Sequence, residues 1–208
     1  MIEPAALLAW SALALIVTLT PGPDTLLVAS HSARGGFRAG MAALAGIMSA
    51  VVFWYGSLIA FGALSVLVAV PALFFAVKIA GALYLAWLGA GMIWNAVKSK
   101  RDASPARPLD LKAPFAQGFF TNALNPKVAL FYLAALPQFA GAGADAPMIG
   151  VMLLAIHAAF GLVWLAFVAF AAARARSIVW NGAVTRWLEG AVGVFFVGVA
   201  GRLALAQR

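Results

Sequence analysis

Apolar residues run along this chain in long blocks that charge rarely interrupts. Asp, Glu, Lys and Arg are absent from residues 4–23, 39–77, 79–97, 128–144 and 146–173. A helix of roughly 20 residues crosses about 30 Å of hydrocarbon, so these blocks predict membrane spans rather than core helices of a soluble domain. Six spans are expected, near residues 4–32, 39–61, 72–97, 114–136, 148–173 and 183–205. The one hydrophilic segment, residues 98–112, holds five basic residues, two Asp and two prolines, and divides the spans three and three. The expected architecture is a single all-α transmembrane domain over residues 1–208, with one half near 1–97, a linker near 98–112 and a second half near 113–208.

Two of the spans cannot continue as regular helix. In the first, Pro21 and Pro23 bracket Gly22 and are followed by Asp24. Proline removes a backbone donor and clashes with the preceding turn, and a carboxylate inside a membrane is costly unless it has a task or a partner. In the fourth, Asn125 and Pro126 stand before Lys127, so the interruption recurs with the charge reversed. Asn is a favoured N-cap and Pro a favoured first helical residue, which predicts a new half-helix beginning there. Asp24 is expected to cap the second half of the first span in the same way. These are discontinuous helices one and four.

Laying Pro23-Asp24 over Pro126-Lys127 aligns the breaks at an offset of 103 residues. In the third span of each half, Gly81, Ala82 and Gly89 line up with Gly190, Ala191 and Gly198 at an offset of 109. Each half has three spans, so two related halves would lie in opposite orientations: an inverted repeat, with the substrate site near the midplane where the broken helices meet.

The formal net charge of +8 follows membrane orientation rather than nucleic-acid binding, since no basic cluster interleaved with aromatics stands on a soluble surface. Loops one, three and five carry ten Lys and Arg; loops two and four carry none. The odd loops are therefore expected in the cytoplasm and both termini outside. Absence of cysteine excludes disulfides, a thiol nucleophile and thiolate metal sites, and no cofactor is expected. The start Met1-Ile2-Glu3 lacks a basic n-region, which predicts a retained first span. Hydrophobic residues make up 65% and charged residues 10%, against about half and about a quarter in soluble domains.

Several segments together resemble the lysine exporter and homoserine/threonine resistance (LysE/RhtB) family of bacterial amino-acid exporters. They are Thr20 to Asp24, Ser32 to Gly36 with Arg38 to Gly40, Lys78 to Gly89, and above all Phe115 to Phe139, with Asn122 to Lys127 and Leu136 to Phe139 inside it. The likeness implies a six-span, multi-pass protein of the bacterial inner membrane that exports amino acids or their derivatives, driven by the proton or electrical gradient. Protons, lipid and a small-molecule substrate are then its partners. Gly36 and Gly40 form a small-xxx-small pair that would suit a homodimer or close intramolecular packing.

On this reading the substrate and proton site comprises Pro21, Gly22, Pro23, Asp24, Asn125, Pro126 and Lys127, with Thr20, Asn122, Lys78 and Gln138 as secondary candidates. The substrate carboxylate is expected at the Asn125-Pro126 helix start beside Lys127, and its ammonium at Asp24 and the carbonyls freed by Pro21 and Pro23. Asp24 could instead carry the proton, or form an ion pair with Lys127 that locks the halves. Lys78 is expected to snorkel to the outer interface, His157 to be a neutral packing histidine, His31 to cap the inner end of span one, and the seven Trp to anchor and pack. An enzyme is not expected: only Asp24 lies deep and no His-Glu-x-x-His motif occurs. Export of a metal cation or another small polar metabolite is the alternative.

Overall fold

The computed structural model describes residues 2–60, 70–98, 111–141, 144–179 and 182–205, and every element in them is helical. Most of the hydrophilic linker, Trp180, and the side chains of Lys78, Arg176, Arg186 and Glu189 lie outside the described residues. The helices are α1 (Pro4–Leu19), α2 (Pro23–Gly35), α3 (Phe37–Ser49), a π-helical stretch (Ala50–Tyr55) continuing into α4 (Gly56–Ala60), α5 (Pro71–Lys98), α6 (Lys112–Ala123), α7 (Pro126–Ala140), α8 (Ala146–Val179) and α9 (Gly182–Leu205).

Both breaks fall where the sequence puts them. Proline forces the residue before it out of the helical region. Thr20 (φ −68°, ψ 116°), Gly22 (φ −157°, ψ −172°) and Asn125 (φ −75°, ψ 110°) are all extended accordingly. The axis turns by 48° between α1 and α2. Asp24 is not the cap: Gly22 holds that position, Pro23 opens α2, and the Asp24 carboxylate is left for a tertiary partner. Asn125 does cap α7, its side chain accepting from Lys127 N at 3.0 Å. At the other end of α2, Gly36 adopts φ 78°, which a side chain would resist, and α3 starts at once.

Other boundaries move. Pro137 lies inside α7, which continues to Ala140, so the expected loop from Pro137 is shorter. The 34-residue α8 carries Arg174 on helix rather than in a turn. Span two contains a π-helical turn that no residue pattern announced. His31 does not cap; it sits within α2 and its Nε2 donates to Gln117 Oε1 at 2.8 Å.

Among the described residues, Phe37–Ala60, Ile79–Lys98 and Ala146–Ala175 are long and apolar enough to cross a membrane, and the bent pair α1–α2 adds a fourth. Exposed Leu8, Phe53, Leu83 and Val163 face outward, as lipid contact requires. The protein is a multi-pass membrane protein. Inside, α1 and α2 pack on α8, α6 packs on α3, and α5 packs along α9.

Glycine makes the two tightest crossings. A Cβ on Gly118 would run into the Ala43 carbonyl, and one on Gly46 into the Phe115 carbonyl, so α3 and α6 touch backbone to backbone. A Cβ on Gly89 would lie 2.6 Å from the Gly193 carbonyl, and one on Gly193 2.7 Å from the Gly89 carbonyl. Gly89 and Gly193 thus bring α5 and α9 together backbone to backbone, while a Cβ on Gly198 would meet nothing within 4 Å. Close approach by small residues is how membrane helices gain packing without a hydrophobic drive.

Substituting Gly118 by Leu should therefore part α3 from α6 and cost about 1–3 kcal/mol or more, read as a lower thermal midpoint of the detergent-solubilised protein. Gly198→Ala, which meets nothing, should leave the midpoint where it is.

Candidate functional site

The two breaks meet. Gly22 backbone sits against Lys127, whose Nζ would be 3.5 Å from a Cβ placed there, and Nζ itself donates to the Thr20 carbonyl. That carbonyl is one that the Pro21–Pro23 interruption leaves without a helical donor. Asp24, one residue into α2, accepts from Asn122 Nδ2 at 2.8 Å. Asn122 belongs to the last turn of α6, just before the second break. Each break thus supplies the polar partner that the other lacks. Among the described residues no Asp24–Lys127 ion pair forms; Lys127 and Asn125 act on the carboxylate from nearby.

Between the breaks lies a cavity of about 60 Å³, bordered by α1, α2, α3, the π-helical turn, α6, α7 and α8. At 10–15 Å³ per water-sized probe it has room for about four to six waters, the scale of an amino-acid headgroup. Asp24, Asn122, Asn125 and Lys127 line its polar side, with Thr18, Thr25, His157 and Trp164; Ile47, Met48, Val51 and Leu165 line the rest.

Four buried polar atoms without a protein partner belong to this one lining: Thr18 Oγ1, Asp24 Oδ1, Asn122 Oδ1 and Trp164 Nε1. Apart from Ser32 Oγ, these are all such atoms among the described residues. An unsatisfied polar group in hydrocarbon costs several kcal/mol, and here four such groups converge on one small space. The set is mixed. Asp24 Oδ1 and Asn122 Oδ1 accept, Trp164 Nε1 donates and Thr18 Oγ1 does either; Lys127 Nζ, already donating to the Thr20 carbonyl, has further N–H groups beside them.

Of the residues singled out in the sequence, Gly22, Asp24, Asn122, Asn125 and Lys127 border the cavity, and Thr20 joins through its carbonyl. Pro21 and Pro23 shape the break, and Pro126 opens α7. Gln138 does not border the cavity; it is exposed and donates to the Ala134 carbonyl of its own helix. Lys78 belongs to α5, none of whose described side chains borders the cavity.

Sequence reasoning missed the contribution of α8. His157 is buried, with Nδ1 2.7 Å from Tyr132 Oη, so it is a packing histidine as expected, and it also faces the cavity. Tyr55, at the end of the π-helical turn, donates to the Asn122 carbonyl at 3.2 Å and packs on Tyr132. Trp164 lies seven residues beyond His157, two turns along the same face; that spacing was the only available signal. Trp10 is wholly buried and donates to the Leu153 carbonyl at 2.9 Å, tying α1 to α8 rather than anchoring an interface.

Removing the Tyr132 hydroxyl by Tyr132→Phe should leave His157 Nδ1 unpaired and cost about 0.6–1.7 kcal/mol, the range measured for hydrogen bonds between membrane helices. Thermal unfolding in detergent would read it, and the effect should vanish in a His157→Phe background.

Comparison with known proteins gives the family to which the chain belongs. An uncharacterized membrane protein of Pseudomonas aeruginosa is 33% identical over 200 residues, 91% of this chain and 90% of its own. YrhP, an uncharacterized membrane protein of Bacillus subtilis, is 27% identical over 202 residues, 93% of this chain and 95% of its own. The leucine efflux protein of Salmonella typhimurium is 29% identical over 208 residues, covering 93% of this chain and 92% of its own. No solved structure matches the chain. The LysE type translocator profile matches residues 15–207, taking in both breaks and the cavity between them, and the chain belongs to that family.

Proposed function

We propose that this protein exports a neutral, aliphatic α-amino acid across the bacterial inner membrane. One observation carries the reading: the mixed set of unpartnered donors and acceptors in the cavity between the two helix breaks. An ammonium needs acceptors, which Asp24 Oδ1 and Asn122 Oδ1 supply; a carboxylate needs donors, which Lys127 Nζ and Trp164 Nε1 supply. A zwitterion meets both demands at once, with no net charge to bury. Ile47, Met48, Val51 and Leu165 offer an apolar bed for an aliphatic side chain, and flexible Met48 can yield to it. Membership of a translocator family, and relatives named leucine efflux proteins, point the same way. Cation export fits this lining less well, because Lys127 and the Trp164 N–H both turn positive charge toward the guest.

The architecture on this reading is six spans in two inverted halves, residues 1–97 and 113–208, joined by the linker. Three packing relations support it: α1–α2 of the first half lie on α8 of the second, α6 of the second lies on α3 of the first, and α5 and α9 cross at Gly89 and Gly193. The Lys/Arg bias places both termini outside. Transport is coupled to the proton or electrical gradient, with Asp24 exchanging between substrate ammonium and proton.

In everted vesicles, Asp24→Asn and Lys127→Ala should each reduce leucine transport at least tenfold, about the loss of one charge-assisted hydrogen bond. Unchanged transport in both would remove these residues from the site. In proteoliposomes, uptake should follow an imposed pH or voltage gradient; gradient-independent flux would make the protein a channel instead. Gly161 borders the cavity, and a Cβ there would stand 3.5 Å from Met48 Cε, a contact without a clash. Gly161→Ala should therefore narrow the bed and lower leucine export relative to alanine export by about 10-fold or more, the usual selectivity of one methyl group.

A further inference from the structure

A second cavity opens between the C-terminal half of α2, the far end of α5 and the start of α6, with a volume of about 600 Å³. None of its lining is shared with the cavity at the breaks. Its volume falls within the roughly 300–1,000 Å³ of small-molecule sites. Arg34, His31, Gln117 and Asn95 give it a polar side, while Leu88 and Met92 form an apolar wall. It lies at the end of the bundle that holds Arg34, Asn95 and Ala113, which the Lys/Arg bias assigns to the cytoplasm.

A run of polar groups leads from this cavity toward the inner one. His31 donates to Gln117 Oε1 at 2.8 Å, Tyr84 Oη donates to the Gln117 carbonyl at 3.2 Å, and Thr121 Oγ1 donates to Tyr84 Oη at 3.5 Å. Thr121, wholly buried, is followed directly by Asn122, which holds Asp24. Helix α6 carries Gln117 and Thr121 one turn apart on one face. Polar side chains within a span mark the route of a polar substrate, and neither Tyr84 nor Thr121 borders the inner cavity that the transport reading uses.

We propose that the wider cavity is a second binding site for the same α-amino acid, an antechamber loaded from the cytoplasm and emptied along the Gln117–Tyr84–Thr121 seam toward Asp24. The inference rests on the transport reading above. Arg34 receives the carboxylate, and Leu88 and Met92 receive the side chain.

Gly91 gives a direct test, since it lines the antechamber and a Cβ there meets nothing within 4 Å. Equilibrium dialysis of radiolabelled leucine against the purified full-length protein should find two molecules bound per chain. Gly91→Leu, which puts a branched side chain into the antechamber, should weaken the second molecule by about tenfold or more; Asp24→Asn should remove the other and spare the antechamber. Asn95 is exposed at the rim, and Asn95→Ala, which adds no bulk, should weaken only the antechamber, by about threefold to tenfold, the value of one hydrogen bond. One leucine per wild-type chain, abolished by Asp24→Asn, would overturn the antechamber and leave the transport reading standing. Two sites untouched by Gly91→Leu and Asn95→Ala would overturn it as well. If the wild type bound no leucine, alanine or threonine, both readings would fall.

Discussion

The hydrogen bond from the Lys127 ammonium to the Thr20 carbonyl expresses the constraint that shapes the whole molecule. Hydrocarbon offers no water to a broken helix, so a span interrupted by proline must find its missing partners in protein. Here each interruption is repaired by the other. Lys127 at the start of α7 reaches the carbonyl at the end of α1, and Asn122 at the end of α6 reaches the carboxylate at the start of α2. The repair is incomplete. Asp24 Oδ1, Asn122 Oδ1, Thr18 Oγ1 and Trp164 Nε1 remain without protein partners, all facing one small space. A bundle built only for stability would gain by closing that space with apolar side chains, since replacing buried polar groups by well-packed apolar ones is often neutral or favourable.

Close glycine crossings hold the breaks opposite one another. Gly46 and Gly118 bring α3 and α6 to backbone contact, and Gly89 and Gly193 do the same for α5 and α9. The crossings fix the spans, while the backbone at the two breaks stays irregular. The π-helical turn at Ala50–Tyr55 adds to that irregularity, and it delivers Val51 to the cavity and Tyr55 to the Asn122 carbonyl. Such turns are frequent at functional sites. Tyr55, Tyr132 and His157 then form a packed aromatic wall behind the polar groups.

Much of this was legible in the chain. Charge-free blocks gave the helical class, prolines gave both breaks to within a residue or two, and Asn125 gave a cap that forms as expected. The errors have local causes. Asp24 lost the cap because Pro23 could open the helix one residue earlier, which placed Gly22 at the cap and freed the carboxylate for Asn122. Pro137 did not end α7, which runs on to Ala140, and nothing in the sequence singled out Gly89 and Gly193 as the pair that would meet at a crossing.

The sequence by itself determined where helix could not continue and which charges lay there, because proline geometry and the cost of charge in hydrocarbon act on each segment separately. Only the tertiary structure decided what those interruptions face. Asn122, His157 and Trp164 reach the cavity from α6 and α8, far along the chain from Asp24, and nothing local to them marks one face of their helices as inward. Whether Lys127 would pair with Asp24 or satisfy a backbone carbonyl was likewise open until the breaks were brought together. In the folded protein Lys127 donates to the carbonyl, while Asn122 holds one carboxylate oxygen of Asp24 and leaves the other facing the cavity.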